Sequence, residues 1–309
     1  MPSQAALPRA TFDCLWCGRS WTTRSPDDLE GWAQLCPDCL GKAGDNPFLK
    51  FRLRDAITAR GAATARAEPV TGTVAAEAAA TSVGPDRDAL VAYYQARAGE
   101  YDDWYLRRGR YSHGPIHDTA WNAELDGAGT WLDAIPFQGE IVELAAGTGW
   151  WSPLLASKGE LWLYDAAEAP LDRARDRLLA HRLRAHIHVR DIWEEPDRQV
   201  DGVFCGFWLS HVERERTAEF LALVRRWLKP GGTFAFIDSR PDPASGAADN
   251  PIPADDRSVR RLDDGREFTI VKVYREPAEL EAALLEAGFR DVAVRTTGRF
   301  FVLGSAVGA

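Results

Sequence analysis

The segment Glu143-Leu144-Ala145-Ala146-Gly147-Thr148-Gly149 follows a short apolar run and opens onto a helical pattern. Gly147 and Gly149 let the backbone approach a ligand closely, and the free amides of the helix that follows favour a negatively charged group. An ordinary strand-to-helix turn has the same shape, so the acids nearby carry the argument. Asp165 ends the next apolar run, 22 residues after Glu143, where a carboxylate can accept both hydroxyls of a ribose. Asp191 ends the third run and is followed by Ile192 and Trp193, which suits a base held between an acidic acceptor and apolar walls. A nicotinamide dinucleotide fits less well. Its turn wants a small third residue where helix packs on strand; counting from Ala145 that position is Trp150, and counting from Gly147 it is Ser152, with neither first turn matching well.

A second chemistry lies near the N-terminus. Cys14-x2-Cys17 and Cys36-x2-Cys39, separated by eighteen residues, account for four of the five cysteines. Each pair delivers two thiolates from one tight turn, and two pairs complete a tetrahedron around Zn2+ with no open position for water. The expectation is a structural zinc module over residues 11–60. Cys205 stands alone in an apolar run and reads as a buried core thiol.

The elements that must position these residues follow from the spacing of apolar positions. Residues 61–86 are rich in Ala, Thr and Gly with few large side chains to bury, which makes them a flexible linker. Residues 88–107 read as one helix with a Tyr-rich face, and 118–134 as another. Strands at 140–144, 161–164, 185–189, 202–207 and 233–237 then alternate with helices at 150–158, 170–183 and 213–228. That alternation predicts a parallel sheet covered on both faces. The tail differs, with a hairpin around Asp264-Gly265, a helix at 277–288, and strands at 292–295 and 300–303 joined across Thr297-Gly298. So short a connection forces the last two strands to be antiparallel.

With these pieces in place, residues 88–309 resemble the class I S-adenosylmethionine-dependent methyltransferases. Glu143 to Gly149 match the first motif and Asp165 the ribose acid. Asp191-Ile192 match the adenine-side motif, and residues 204–212 the fourth-strand motif. Leu228-Lys229-Pro230-Gly231-Gly232-Thr233 matches the turn before the fifth strand. The resemblance implies an α/β, Rossmann-like seven-stranded sheet, mostly parallel with one antiparallel strand, beside the small N-terminal zinc ribbon. It implies S-adenosyl-L-methionine as cofactor, contacted by Glu143, Ala145, Gly147, Gly149, Asp165, Asp191, Ile192 and Phe207. Tyr94 and Tyr101, on one face of the leading helix, would form a lid. Ala145 stands where the family often has glycine.

Members of that family move a methyl group from a sulfonium to a nucleophile, so in-line alignment and exclusion of water are the main catalytic effects. His211, just past the fourth strand, is the candidate base; Trp208 and Arg240 are candidate substrate contacts. The fourth strand lacks an Asp/Asn-Pro-Pro-Tyr motif and Cys205 lacks a preceding proline, which argues against methylation of exocyclic adenine amines, glutamine amides and cytosine C5.

Charge narrows the partner. The chain of 309 residues carries a net charge of -9; residues 1–60 hold 8 basic against 7 acidic side chains, leaving 29 against 39 for the rest. An excess of acid across the catalytic region disfavours a large nucleic-acid footprint. The leading expectation is a small-molecule acceptor. An RNA or protein substrate recognised through the ribbon is the alternative, in broad layout like the zinc-bearing guanine methyltransferases of large-subunit ribosomal RNA. A non-catalytic cofactor-binding scaffold is the third. Reduced metal-binding thiols and the lack of any apolar run of about 18 to 20 residues point to a cytoplasmic protein without membrane insertion.

Overall fold

Strands covered on both faces are near-continuous apolar runs, and Leu161-Trp162-Leu163-Tyr164 and Phe234-Ala235-Phe236-Ile237 are of that kind. The computed structural model describes residues 11–13, 19–22, 85–250, 252 and 255–308. The chain divides into two units, residues 1–76 and 77–309. In the first, β1 (Thr11–Asp13) and β2 (Ser20–Thr22) pair antiparallel with Phe12 opposite Trp21. Cys14, Cys17, Cys36 and Cys39 lie outside the described residues, as does the linker up to residue 84.

The second unit is built on β3 (Glu140–Leu144), β4 (Glu160–Asp165), β5 (His186–Val189), β6 (Val200–Gly206), β7 (Leu228–Ser239), β10 (Arg290–Thr296) and β11 (Phe301–Val307), in the spatial order β10-β11-β7-β6-β3-β4-β5. β11 runs antiparallel to both neighbours and the other pairings are parallel. The mixed seven-stranded sheet with one reversed strand near an edge is therefore the observed architecture. Its core fills with Val142, Leu144, Val203, Cys205, Phe234 and Phe236, all fully buried. Across the β7–β11 pair, a Cβ on Gly304 would sit 2.1 Å from the Phe236 ring, so the aromatic side chain occupies the volume the glycine leaves.

Two expectations need correction. The single helix over 88–107 is two: α1 (Pro85–Arg97) and α2 (Tyr101–Leu106), broken by a turn at 98–100. Gly99 sits in that turn, where helix propensity is weakest. The break lets α2 dock on the glycine-rich loop: Asp102 accepts from Thr148 Oγ1 at 2.6 Å and from Arg177 at 2.6 Å. The strand expected at 233–237 extends from Leu228 to Ser239. Val200 pairs with Leu228 and Gly202 with Thr233, so Lys229-Pro230-Gly231-Gly232 is a bulge within the strand. It is held by Lys229 bridging Glu140 at 2.9 Å and Asp201 at 3.0 Å.

The remaining helices cover the sheet: α3 (Pro115–Ala134), α4 (Ser152–Ala156), α5 (Glu168–Ala180), α6 (Thr217–Trp227) and α7 (Pro277–Glu286). A separate antiparallel hairpin, β8 (Arg257–Arg261) and β9 (Glu267–Val271), forms about the Asp264-Gly265 turn and packs against α1. Among the described residues, no helix is long and apolar enough to cross a membrane.

Candidate active site

Parallel strands present their carboxyl ends to one edge of the sheet, and a crevice opens where the order of connection reverses. Here the reversal lies between β3 and β6, and two adjoining cavities occupy that edge.

The first, of about 630 Å³, is lined by the ends of β3, β4 and β6, the segment after β5, and α1. Its floor is the turn after β3. Ala145 (φ 53°), Gly147 (φ 54°) and Gly149 (φ 68°) all adopt the left-handed conformation. For Gly147 conformation alone is the reason, because an added Cβ would meet Tyr101 at an ordinary 3.8 Å. Gly149 has a second reason: a Cβ there would lie 2.7 Å from that of Ala174 on α5.

Asp165, at the end of β4, faces this cavity while its two oxygens accept the amides of Gly147 and Ala167, each at 2.8 Å. Those bonds favour the ionised form, but enclosure outweighs them and Asp191 adds repulsion, so its pKa is pushed up to about 6. Asp191 accepts the Trp193 amide at 2.9 Å on one oxygen and pairs with Arg87 of α1 through the other. Ile192, Trp193 and Trp208 form apolar wall.

Glu143 and Gly149 do not reach the cavity lining. Glu143 is buried beneath the turn, where Ser152 Oγ donates to it. Burial pushes its pKa up to about 8, with the Ser152 bond and Arg177 opposing.

The second cavity, of about 680 Å³, lies between α1, the segment 239–250 and the β8–β9 hairpin. It shares Tyr94, Tyr101, Phe207 and His211 with the first, so these four side chains form the partition. Phe207 is a buried non-glycine residue at φ 60°, the second such left-handed residue at a strand end beside Ala145. Its amide donates to Ile237 at 2.6 Å, which holds the strained backbone in place.

His211 is buried, with Nδ1 2.7 Å from the Val271 carbonyl and Nε2 2.7 Å from the Tyr94 hydroxyl. A carbonyl can only accept, so Nδ1 carries the proton and Nε2 accepts from Tyr94. Burial, then the nearby Lys272, hold the imidazole pKa well below its usual value. The ring is therefore neutral near pH 7.

The structure thus gathers Tyr94, Tyr101, Ala145, Gly147, Asp165, Asp191, Ile192, Phe207, Trp208 and His211 around one cavity pair. Trp208 lines only the first cavity. Arg240 lines neither; its guanidinium donates to the Gly298 carbonyl and fastens the end of β7 to the loop before β11. Reading the sequence missed Arg87, and it missed the basic residues of the second cavity, Arg97, Arg260 and Lys272. Lys272 left one trace: a lysine inside the apolar run Thr269-Ile270-Val271-Lys272-Val273 of a chain with few lysines. Among the described residues no cluster of ligands could hold a metal ion.

Comparison with known proteins agrees with this geometry. A family profile described as a methyltransferase domain matches residues 141–232. Among solved structures, the complex of DhpI with SAH is 30% identical, covers 71% of this chain and 95% of that chain, and gives a TM-score of 0.57. The complex of DhpI with SAM and HEP is 30% identical, with coverage of 73% and 99% and a TM-score of 0.58. No curated protein matches the chain.

Proposed function

The chain belongs to the S-adenosylmethionine-dependent methyltransferases, and from that premise we propose that it methylates a small-molecule acceptor held in the second cavity. One observation carries the reading: two cavities of similar size meet at a partition of Tyr94, Tyr101, Phe207 and His211. The relative's complex with both SAM and HEP is consistent with a site that takes two components at once.

The first cavity fits the cofactor by the chemistry of its donors and acceptors. Asp165 retains lone pairs beyond its two backbone bonds and would accept ribose hydroxyls. Asp191, Ile192 and Trp193 would receive the adenine, and the left-handed turn at Ala145 and Gly147 would let backbone approach the methionine portion. When bound, the cofactor supplies a methyl group already activated on a sulfonium sulfur. The protein therefore contributes alignment and dryness. Tyr94 and Tyr101 roof the junction, Phe207 walls it, and Trp104 packs edge-on against Phe207 at 4.7 Å to fix that ring. His211, neutral and tied at both nitrogens, positions Tyr94 at the junction.

The four N-terminal cysteines we assign to structural Zn2+ on ligand type and spacing alone, with residues 61–86 as the linker to the catalytic region. Reduced thiolates at such a site are compatible with a cytoplasmic setting.

The test uses the full-length chain with methyl-labelled S-adenosylmethionine and three fractions of a cell extract: small molecules, RNA and protein. Label entering the small-molecule fraction is the expected result. Label confined to RNA or protein would overturn the assignment of the acceptor.

A further inference from the structure

The second cavity has a charge its surroundings do not. In a chain of net charge -9, three cations converge on it from separate elements: Arg97 at the end of α1, Arg260 on β8, and Lys272 just past β9. We propose that this trio is the binding site for an oxyanion, a carboxylate or phosphoryl group, carried by the methyl acceptor. The proposal deepens the preceding reading and rests on it, since it assigns the acceptor's chemical class within the same cavity.

Arg97 is the strongest element. It is 92% buried by residue surface, being 8% exposed, and its Nε has no hydrogen-bond partner. Its guanidinium carbon lies 4.5 Å from the Tyr101 ring centroid, 5.5 Å from that of Tyr93 and 5.7 Å from that of Tyr111. Rings stabilise a guanidinium by covering it, while its donors point outward in the guanidinium plane. The tyrosines thus hold the group rigid without satisfying its N–H bonds. A buried, unpaired guanidinium is costly, and a planar oxyanion is the ligand that matches its fork.

The acids nearby offset the trio only in part, at Lys272. Asp242 lines the same cavity but is held by Arg299, at 3.1 Å from Nε and 3.0 Å from Nη2. Asp238 stands 3.9 Å from Lys272 Nζ and already accepts the amides of Ser210 at 2.8 Å and Ser239 at 2.6 Å. Lys272 donates to the hydroxyls of Ser210 at 2.7 Å and Ser239 at 3.3 Å. Among the described residues neither Arg97 nor Arg260 has a carboxylate within ion-pair distance. Burial pushes Lys272 down to about 8, with Asp238 opposing and Arg260 and Arg97 adding to the shift.

Calorimetric titration of the full-length chain, with and without saturating S-adenosylhomocysteine, tests this. The probes are inorganic phosphate, benzoate and, as the neutral counterpart of benzoate, benzamide. Phosphate and benzoate are expected to bind, and benzamide about tenfold or more weakly, the scale of one charged hydrogen bond. Arg260→Gln, at a half-exposed position where folding is least at risk, is expected to weaken both anions about tenfold and leave S-adenosylhomocysteine affinity unchanged. Arg97→Gln is expected to weaken them at least as much. Anions that bind no better than benzamide, or that ignore both substitutions while S-adenosylhomocysteine still binds, would overturn the proposal. Failure of S-adenosylhomocysteine to bind the unsubstituted chain strikes instead at the cofactor reading, and the anion titration without it judges the trio separately.

Discussion

The Tyr94 hydroxyl donates to Nε2 of His211 across 2.7 Å and so fills the only lone pair the neutral ring offers. An imidazole in that state cannot take a proton from an acceptor unless the phenol first moves. Tyr94 comes from α1 and His211 from the segment after β6, so the bond also ties that helix to the sheet.

Replacing Tyr94 by Phe removes that donor and keeps the ring. Because the lost bond favoured neutral imidazole, the His211 pKa is expected to rise, though burial and Lys272 still hold it below its usual value. The acidic limb of the turnover profile should move to higher pH with it, while S-adenosylhomocysteine affinity changes little. His211→Ala should lower turnover with cofactor affinity nearly intact. A pH profile identical in the Tyr94→Phe and unsubstituted enzymes would show that the pair does not govern turnover.

Asp165 gives a second pH dependence, of known sign. Its pKa is raised to about 6, and only the ionised carboxylate is free to accept two hydroxyls. Cofactor affinity should therefore approach its full value about one unit above pH 6 and fall as the pH drops through 6. Asp165→Asn should cost about 1.5 to 3 kcal/mol of binding, the worth of a charged hydrogen bond, and abolish the acid dependence. Titrating S-adenosylhomocysteine from pH 5 to 8 measures both.

Ala145 holds φ 53° at a chamber wall, a conformation that costs an L-residue roughly 1 kcal/mol or more. Ala145→Gly relieves that cost but frees the unfolded chain. The net expectation is a small rise in stability, up to about 1 kcal/mol. Denaturant midpoints for the two proteins decide it; a lower midpoint for the glycine variant means that the methyl packs favourably.

For the N-terminal cysteines the expected result is one zinc per chain by elemental analysis. Changing Cys14 and Cys36 to Ser together should release it. Labelled methyl transfer to a small-molecule fraction should persist in that variant, since a closed tetrahedral site has no position for substrate.

The order of strands and helices was readable because its signals are local. Alternating apolar runs fixed β3 to β6, the short Thr297-Gly298 turn forced the reversed strand, and the glycine-rich turn with Asp165 and Asp191 marked the first cavity. The break at Gly99 was hidden because Tyr94 and Tyr101 continue a helical face across it. The cations of the second cavity escaped notice for a different reason: Arg97, Arg260 and Lys272 lie far apart in sequence, and only the docking of β8–β9 on α1 brings them together. Arg240 shows the converse. It sits at the right strand end, yet the Gly298 carbonyl claims its guanidinium, and no sequence pattern reports which partner an arginine chooses.

A single helix, α1, supplies Leu90, Val91 and Tyr94 to the first cavity and Tyr93, Tyr94 and Arg97 to the second. Its residues thus wall two cavities at once. Any displacement of α1 that opens the first cavity also withdraws Arg97 from the second. The shapes of the two cavities are thereby coupled through one helix common to both.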